Sequence, residues 1–498
     1  MKPRCIIIGS GLGGLSCGIV LARNGYEVTI LEQGSQIGGC LQCFTRRGVT
    51  FETGMHFIGS TDEGQVLQRL LRYLEVYDSL PLQRLDTGGY NEIAIAGGRF
   101  RIANGRDAFI ETLAASFPHE RDRLAAYFDR VKQIAAASSL QALRYAESNL
   151  ALNTEYQLRS INEVIEQLIA DPLLQSVLVG DLPLYAAERD RTPFATHAFV
   201  MNFYNQSAFR IVGGSGRLAQ ALAATLARYG GCIRTGSRVT KIRCNDRMAE
   251  GVETADGAFY PADLVISDAH PRRTLELLDT KLIRPAFRSR IETLRNTASG
   301  FSVYLHFRPG TVPYMNRNFY KYHGDTPWGC EHYTADDWPR GYLYMHHCHA
   351  PQPAFAESGV ILSYLSMEEL RAWEHTTVGR RGDDYLAFKQ RKTERLIAAV
   401  ERDFPELRGN ILHTYAATPL TYRDYTGTPD GSMYGVARDI ASGASNRVPH
   451  RTRVPNLLLT GQSINSHGIL GVLVGTIVTC SELLTAERIY QQIVEANR

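Results

Sequence analysis

The sequence predicts an α/β fold interrupted by an inserted α+β unit, and three observations predict it. Residues 5–31 read as strand, glycine loop, helix and strand, and residues 454–472 read as strand, tight turn and helix. The long stretches between them carry helical patterning first and strand patterning later. At 498 residues the chain can hold two or three cooperating units with large cores.

Composition narrows the function classes. Charged residues make up 21% of the chain, which excludes global disorder and low-complexity polymers. With 54 Lys and Arg against 51 Asp and Glu, the net charge of +3 gives no field for holding a polyanion. No basic run is clustered, so nucleic acid is not an expected partner. The longest apolar stretches, such as Ile469 to Val478, fall short of the roughly 20 residues of a membrane span. The N-terminal apolar run is too short for a signal peptide, and a cytoplasmic location is the default expectation. Nine cysteines, an odd and scattered set, are expected to be reduced thiols.

Taken in chain order, Cys5–Ile8 is a continuous apolar run that suits a parallel strand covered on both faces. Gly9-Ser-Gly11-Leu12-Gly13-Gly14 follows at once, and Leu15, Ile19 and Ala22 then recur at helical spacing. Gly25 sits where a left-handed residue stops that helix. A second strand, Glu27–Leu31, ends at Glu32-Gln33, about twenty residues past the glycines. This is the context of a Rossmann-type dinucleotide site. Gly9 permits the tight turn, Gly11 lets the backbone approach a pyrophosphate, and Gly14 allows close helix–strand contact. Leu12, Gly13 and Gln33 complete the expected contact set, and the helix N-terminus supplies N–H groups and a positive dipole end. Glu32 would accept hydrogen bonds from ribose hydroxyls and repel a 2′-phosphate, which disfavours NADP in this loop.

The next residues favour FAD over NAD. Gly38-Gly39-Cys40 lets the chain run close to a ligand, and Phe51-Glu-Thr-Gly54-Met-His56-Phe-Ile-Gly59 follows. These stretches resemble the flavoprotein superfamily of amine oxidases and carotenoid desaturases, and within it the phytoene desaturase and all-trans-retinol 13,14-reductase family. Further segments are similar to that family in the expected order. They are Arg106 to Glu120, Pro193 to Gly216, Ser237-Arg-Val239, Ala262 to Pro271, Thr418 to Gly435, and Leu459-Thr-Gly461-Gln through Gly471. The Thr-Gly-Gln wording leans toward the retinol saturase branch. One departure is Cys40, where many relatives carry an arginine near the pyrophosphate.

The resemblance implies a Rossmann-type FAD-binding domain of the glutathione reductase and amine oxidase kind, assembled from residues 1–75, 208–275 and 415–498. Residues 76–207 and 276–414 would then form an α+β substrate domain with a long apolar tunnel. Val239 is expected on the adenine side and Gly54 and His56 near the flavin ring. A turn at Thr460-Gly461 and a helix from Val472 would set Gly471, Val472 and Leu473 at the pyrimidine edge, where N–H groups favour the reduced flavin. Gly213-Gly214-Ser215-Gly216 lacks a third glycine in register, so no separate NAD domain is expected. NAD(P)H or another external electron donor or acceptor must therefore reach the flavin through the open site.

Saturation of a double bond requires hydride from flavin N5 on one carbon and a proton on its neighbour. His56, His467, Tyr425 and Tyr434 are the candidate catalytic residues, with solvent the alternative donor. Cys40-Leu-Gln-Cys43 allows either a redox-active pair or plain packing. Cys330, His332 and His346–His349 form a His/Cys group, but alternation along a strand sends successive side chains to opposite faces, and no metal site is expected.

The leading expectation is an FAD-dependent oxidoreductase that saturates, or in the opposite sense desaturates, a C=C bond of an isoprenoid, carotenoid or retinoid-like polyene. Two alternatives stand beside it: a flavin-dependent redox-neutral cis–trans isomerase, and a non-catalytic prenyl-lipid escort on the same scaffold. An apolar substrate makes transient membrane-surface attachment reasonable. Pro172 to Val179 and Leu182 to Tyr185 read either as a portal at an interface or as core.

Overall fold

The computed structural model describes residues 2–143 and 150–498. Five parallel strands form the first sheet: β1 (Arg4–Ile8), β2 (Glu27–Leu31), β3 (Cys232–Arg234), β4 (Leu264–Ser267) and β5 (Leu457–Leu459). Their spatial order is β3-β2-β1-β4-β5, the doubly wound arrangement in which ligands sit at the carboxyl ends of the strands. Alternating residues of β1 explain its unbroken apolar run. Cys5 and Ile7 enter one core with α1 (Leu12–Arg23), α2 (Gly216–Arg228) and α3 (Gly468–Leu484). Ile6 and Ile8 enter another core beneath a small antiparallel sheet of Val239–Cys244, Ala249–Thr254 and Phe259–Pro261.

The opening and closing segments are thus direct neighbours. β5 pairs with β4, β4 with β1, and α3 packs on α1. Cys17 on α1 donates to Thr460 Oγ1 just past β5, at 3.6 Å.

A second, seven-stranded mixed sheet runs in the order 411–417, 300–307, 358–364, 341–346, 318–322, 91–95 and 98–102. One face, with Phe301, Val303 and Tyr344, packs on the helix Asp383–Asp403. The other, with Tyr320, Leu343 and Met345, packs on the helices between Arg106 and Gln206. Phe109, Leu113, Phe117, Leu124, Tyr127, Phe128 and Val131 are buried there as their spacing requires. That helical pattern also crosses residues 144–149, which lie outside the described residues.

One expectation changes, and one open choice closes. α3 begins at Gly468, one turn before Val472, so the N–H groups without intrahelical partners belong to residues 468–471. The segment 172–185 is mostly core: Leu174, Val177, Leu178, Val179, Leu182 and Tyr185 are buried. Among the described residues, no helix is long and apolar enough to cross a membrane.

Candidate active site

One cavity of about 910 Å³ opens at the carboxyl ends of β1, β2 and β4 and extends to the inner face of the second sheet. Its volume is at the upper end of the roughly 300–1,000 Å³ typical of small-molecule and cofactor sites.

The glycine loop forms its polar end. Gly9 turns with φ +96°, and its N–H bonds Leu31 O at 2.9 Å. A Cβ on Gly14 would lie 2.2 Å from the Gly9 carbonyl oxygen, so this glycine serves helix–strand packing and does not line the cavity. Gly9, Gly11, Leu12 and Gly13 do line it, together with Glu32, Gln33, Gly38, Gly39, Cys40, Gly54, His56 and Val239. Glu32 Oε2 accepts from the Ser10 N–H and hydroxyl, and Oε1 accepts from Gly34 N–H. A carboxylate has about four lone-pair sites, so acceptor capacity remains for a ribose hydroxyl. The turn at Gly38-Gly39 presses on the loop, with a Gly39 Cβ falling 3.2 Å from Gly11 Cα.

Asp268, just past β4, was not singled out by the sequence. Its carboxylate reaches into the loop: a Cβ on Gly11, Gly13 or Gly461 would lie 2.5 Å from one of its oxygens. Burial pushes its pKa up to about 7, against the N–H bond from Gly14, with the nearby Glu32 charge adding to the rise. Burial, then Asp268, also pushes the Cys40 thiol up to about 11, which makes it a poor nucleophile. Cys43 accepts from Gly216 N–H at 3.2 Å, and both sulfurs are free thiols. The Cys40–Cys43 pair is accounted for by packing.

At the C-terminal side, Gly461, Gly468, Ile469 and Val472 line the cavity. Gly471 and Leu473 do not: Gly471 is backed by Ser466, and Leu473 is buried in the core behind α3. The one-turn shift of the helix start is the reason.

The far end is apolar, lined by Phe57, Leu184, Leu343, Met345, Leu362 and Met433. His56 lines the cavity with its side chain 13% exposed. Tyr434 also lines it. Its hydroxyl donates to the Pro183 carbonyl at 2.9 Å, and burial pushes its pKa up. Tyr425 sits at the mouth, 60% exposed. His467 lies behind Tyr434, ring to ring at 4.9 Å, and does not line the cavity. Burial, then Arg438, lowers its pKa to about 3. His56 is therefore the best placed of the four candidates, and His467 the worst.

The grouping of Cys330, His332 and His346–His349 does not form. His332 is exposed, while His346 is spent on Met315 N–H and the Tyr344 hydroxyl. Gly213–Gly216 follows a strand, Ala208–Ile211, that runs antiparallel to Ile58–Gly59 and Leu82–Arg84, so it is not a second nucleotide loop. Its Ser215 N–H instead donates to Glu52 Oε1 at 3.0 Å.

These residues fit FAD. A loop stripped of Cβ atoms faces an acidic ribose acceptor, and the cavity continues past it to the start of α3. Residues 12–474 match the model of the flavin containing amine oxidoreductases. The chain belongs to that family. As a flavin-containing amine oxidoreductase it is 28% identical to human all-trans-retinol 13,14-reductase over 99% of this chain and 87% of that protein. It is 24% identical to prolycopene isomerase 1 of an Oncidium hybrid cultivar, over 97% and 84%. Such relatives bear out the motif-level resemblance to the phytoene desaturase and retinol reductase branch. Among solved structures, an oxidoreductase from Methanosarcina mazei superposes with a TM-score of 0.63 at 16% identity, covering 96% of this chain and 100% of that one. At that identity the likeness shows the fold, and the α/β class with an FAD-type Rossmann unit stands.

Proposed function

We propose that the protein is an FAD-dependent oxidoreductase that saturates, or in the reverse sense desaturates, a C=C bond in an isoprenoid, carotenoid or retinoid-like polyene. One observation carries this reading: a single cavity joins the dinucleotide loop to an apolar end built from Phe57, Leu184, Leu343, Met345, Leu362 and Met433. FAD, when bound, supplies the two-electron chemistry at carbon. The apolar wall orients a hydrocarbon chain and excludes water from it. His56, at the junction of the two ends, holds the proton that the neighbouring carbon gains. The Tyr434 hydroxyl, tied to Pro183, positions the wall instead.

The same reading divides the chain at residues 1–75, 208–275 and 415–498 for the cofactor and at 76–207 and 276–414 for the substrate. Electrons pass to or from NAD(P)H or another external partner through the cavity mouth at Thr376–Val378 and Tyr425. A peripheral, transient stay at a membrane surface follows from the solubility of the substrate.

The test is anaerobic incubation of photoreduced holoprotein with a panel of polyenes, following flavin reoxidation and product mass. Saturation adds two mass units and reoxidises the flavin, and desaturation, read with the oxidised holoprotein, removes two and reduces it; neither change with any polyene would refute the proposal. The Oncidium relative favours one second reading, redox-neutral isomerisation, in which product mass and flavin state are unchanged while the cis–trans ratio shifts. His56→Asn is expected to lower turnover by about 10²-fold or more with the flavin spectrum retained, the scale of a lost general acid.

A further inference from the structure

Beneath the cavity wall, two side chains four residues apart and a third almost 300 residues on turn ligating atoms toward one another. Glu52 Oε2, His56 Nδ1 and His347 Nε2 all lie within 4.8 Å of each other. None of the three atoms has a hydrogen-bond partner, and the Glu52 and His347 side chains are only 4% and 2% exposed. Other buried side-chain atoms also lack a protein partner, but these three converge on one point, and buried polar groups are as a rule satisfied.

We infer that Glu52, His56 and His347 form a binding site for a divalent transition cation of the zinc–iron class. The donor set is two imidazoles and one carboxylate, a set that such cations take with a further position left for water. The imidazole tautomers separate a cation from hydrogen bonds alone. Glu52 Oε2 is 3.6 Å from His56 Nδ1 and 3.9 Å from His347 Nε2. Ligands bound tetrahedrally at roughly 2.0–2.1 Å sit about 3.3 Å apart, so a cation needs closure of about 0.3 and 0.6 Å at the two Glu52 pairs, and the two histidine nitrogens, within 4.8 Å of each other, close with them. Hydrogen bonds alone need about 0.4 and 0.7 Å of closure to reach 3.2 Å, with both imidazoles donating to Glu52 Oε2, whereas a cation takes the lone pairs of both imidazoles.

The surroundings hold the ligands in place. Glu52 ends the strand Val49–Glu52, and Ser215 N–H fixes its other oxygen at 3.0 Å. His347 Nδ1 lies 2.8 Å from Ser358 Oγ, which is also 2.8 Å from His349 Nε2. With Ser358 accepting from His347 Nδ1–H and donating to His349, His347 Nε2 presents its lone pair to the cluster, as outer partners of ligating histidines commonly arrange. Burial, then His56, keeps His347 in the neutral form that ligates. Arg210 also acts on His347 and donates to the His56 carbonyl at 3.3 Å. Its positive charge opposes the cation and makes the site weaker than a thiolate-rich structural one. Ligation at His56 Nδ1 leaves His56 Nε2 unligated, so the site is compatible with the proton role above but does not depend on it.

Chelator-treated holoprotein should be dialysed against Zn²⁺, its bound metal counted, and its zinc K-edge absorption recorded. One equivalent is expected, with imidazole scattering in the spectrum. Glu52→Gln and His347→Gln should each weaken binding tenfold or more, and Ser358→Ala should weaken it about 10–100-fold. Circular dichroism and the flavin spectrum identify variants that fail to fold. Should His347→Gln misfold, the wild-type spectrum and Glu52→Gln still decide. No specific zinc in folded yellow protein, a spectrum without imidazole ligands, or binding unchanged in folded Glu52→Gln or His347→Gln would overturn the inference.

Discussion

Asp268 shows how much one side chain can decide in a loop built of glycine. A pyrophosphate approaching Gly11–Gly13 meets the N–H groups of the α1 terminus and, beside them, this carboxylate. With its pKa raised to about 7, the group is neutral below that pH and charged above it. Ionisation sets a negative charge, with Glu32 nearby, against a dianion, so FAD affinity is expected to fall as pH rises through about 7. The sign also holds for stability: an acid whose folded pKa exceeds its ordinary value of 3.8 destabilises the apoprotein progressively between about pH 4 and 7. Asp268→Asn should flatten the pH dependence of the FAD dissociation constant between pH 6 and 8, measured by flavin fluorescence, and tighten binding at pH 8. An unchanged pH profile would remove Asp268 from the cofactor's electrostatics. Residues such as Gly9, Gly11 and Glu32 were legible in the sequence because their chemistry is tied to fixed spacing. Asp268, and the meeting of His347 with Glu52 and His56, were not, because only the folded chain brings them together.

At the level of elements, the glycines of α1 do different work. Gly14→Ala forces a Cβ to 2.2 Å from the Gly9 carbonyl, so helix and strand must part. Gly25, past the C-terminus of α1, has φ +92° and nothing within 4 Å of its missing Cβ. Gly25→Ala therefore costs only the left-handed strain, about 1–2 kcal/mol. Thermal unfolding and FAD titration should show Gly14→Ala losing flavin along with several kcal/mol of stability, and Gly25→Ala losing about 1–2 kcal/mol with affinity intact. Equal effects of the two would contradict the packing role of Gly14. The α1 boundaries were readable because a strand, a loop and a left-handed stop frame an apolar stripe. The start of α3 was misplaced because Gly468 and Gly471 read as chain breakers, whereas burial of Ile469, Leu470, Val472 and Leu473 makes that stretch helical. The choice between portal and core at residues 172–185 met a similar limit, since an apolar run looks alike at an interface and inside a core; burial decides for core.

Across the whole molecule, topology creates the site. The β3-β2-β1-β4-β5 order draws strands from residues 4–31, 232–267 and 457–459 into one sheet, so the cavity is walled by segments more than 400 residues apart. The seven-stranded sheet closes the apolar end with residues from 343–362. Motifs at the two ends of the chain carried this convergence in the sequence; the wall did not, because alternation marks a buried face without naming its neighbour. Amide hydrogen exchange of the apoprotein, with and without FAD, tests the convergence most directly. Protection is expected to rise at residues 9–14, 54–57 and 461–472 along one FAD titration curve. Protection confined to one end of the chain, or none at saturating FAD, would contradict the account.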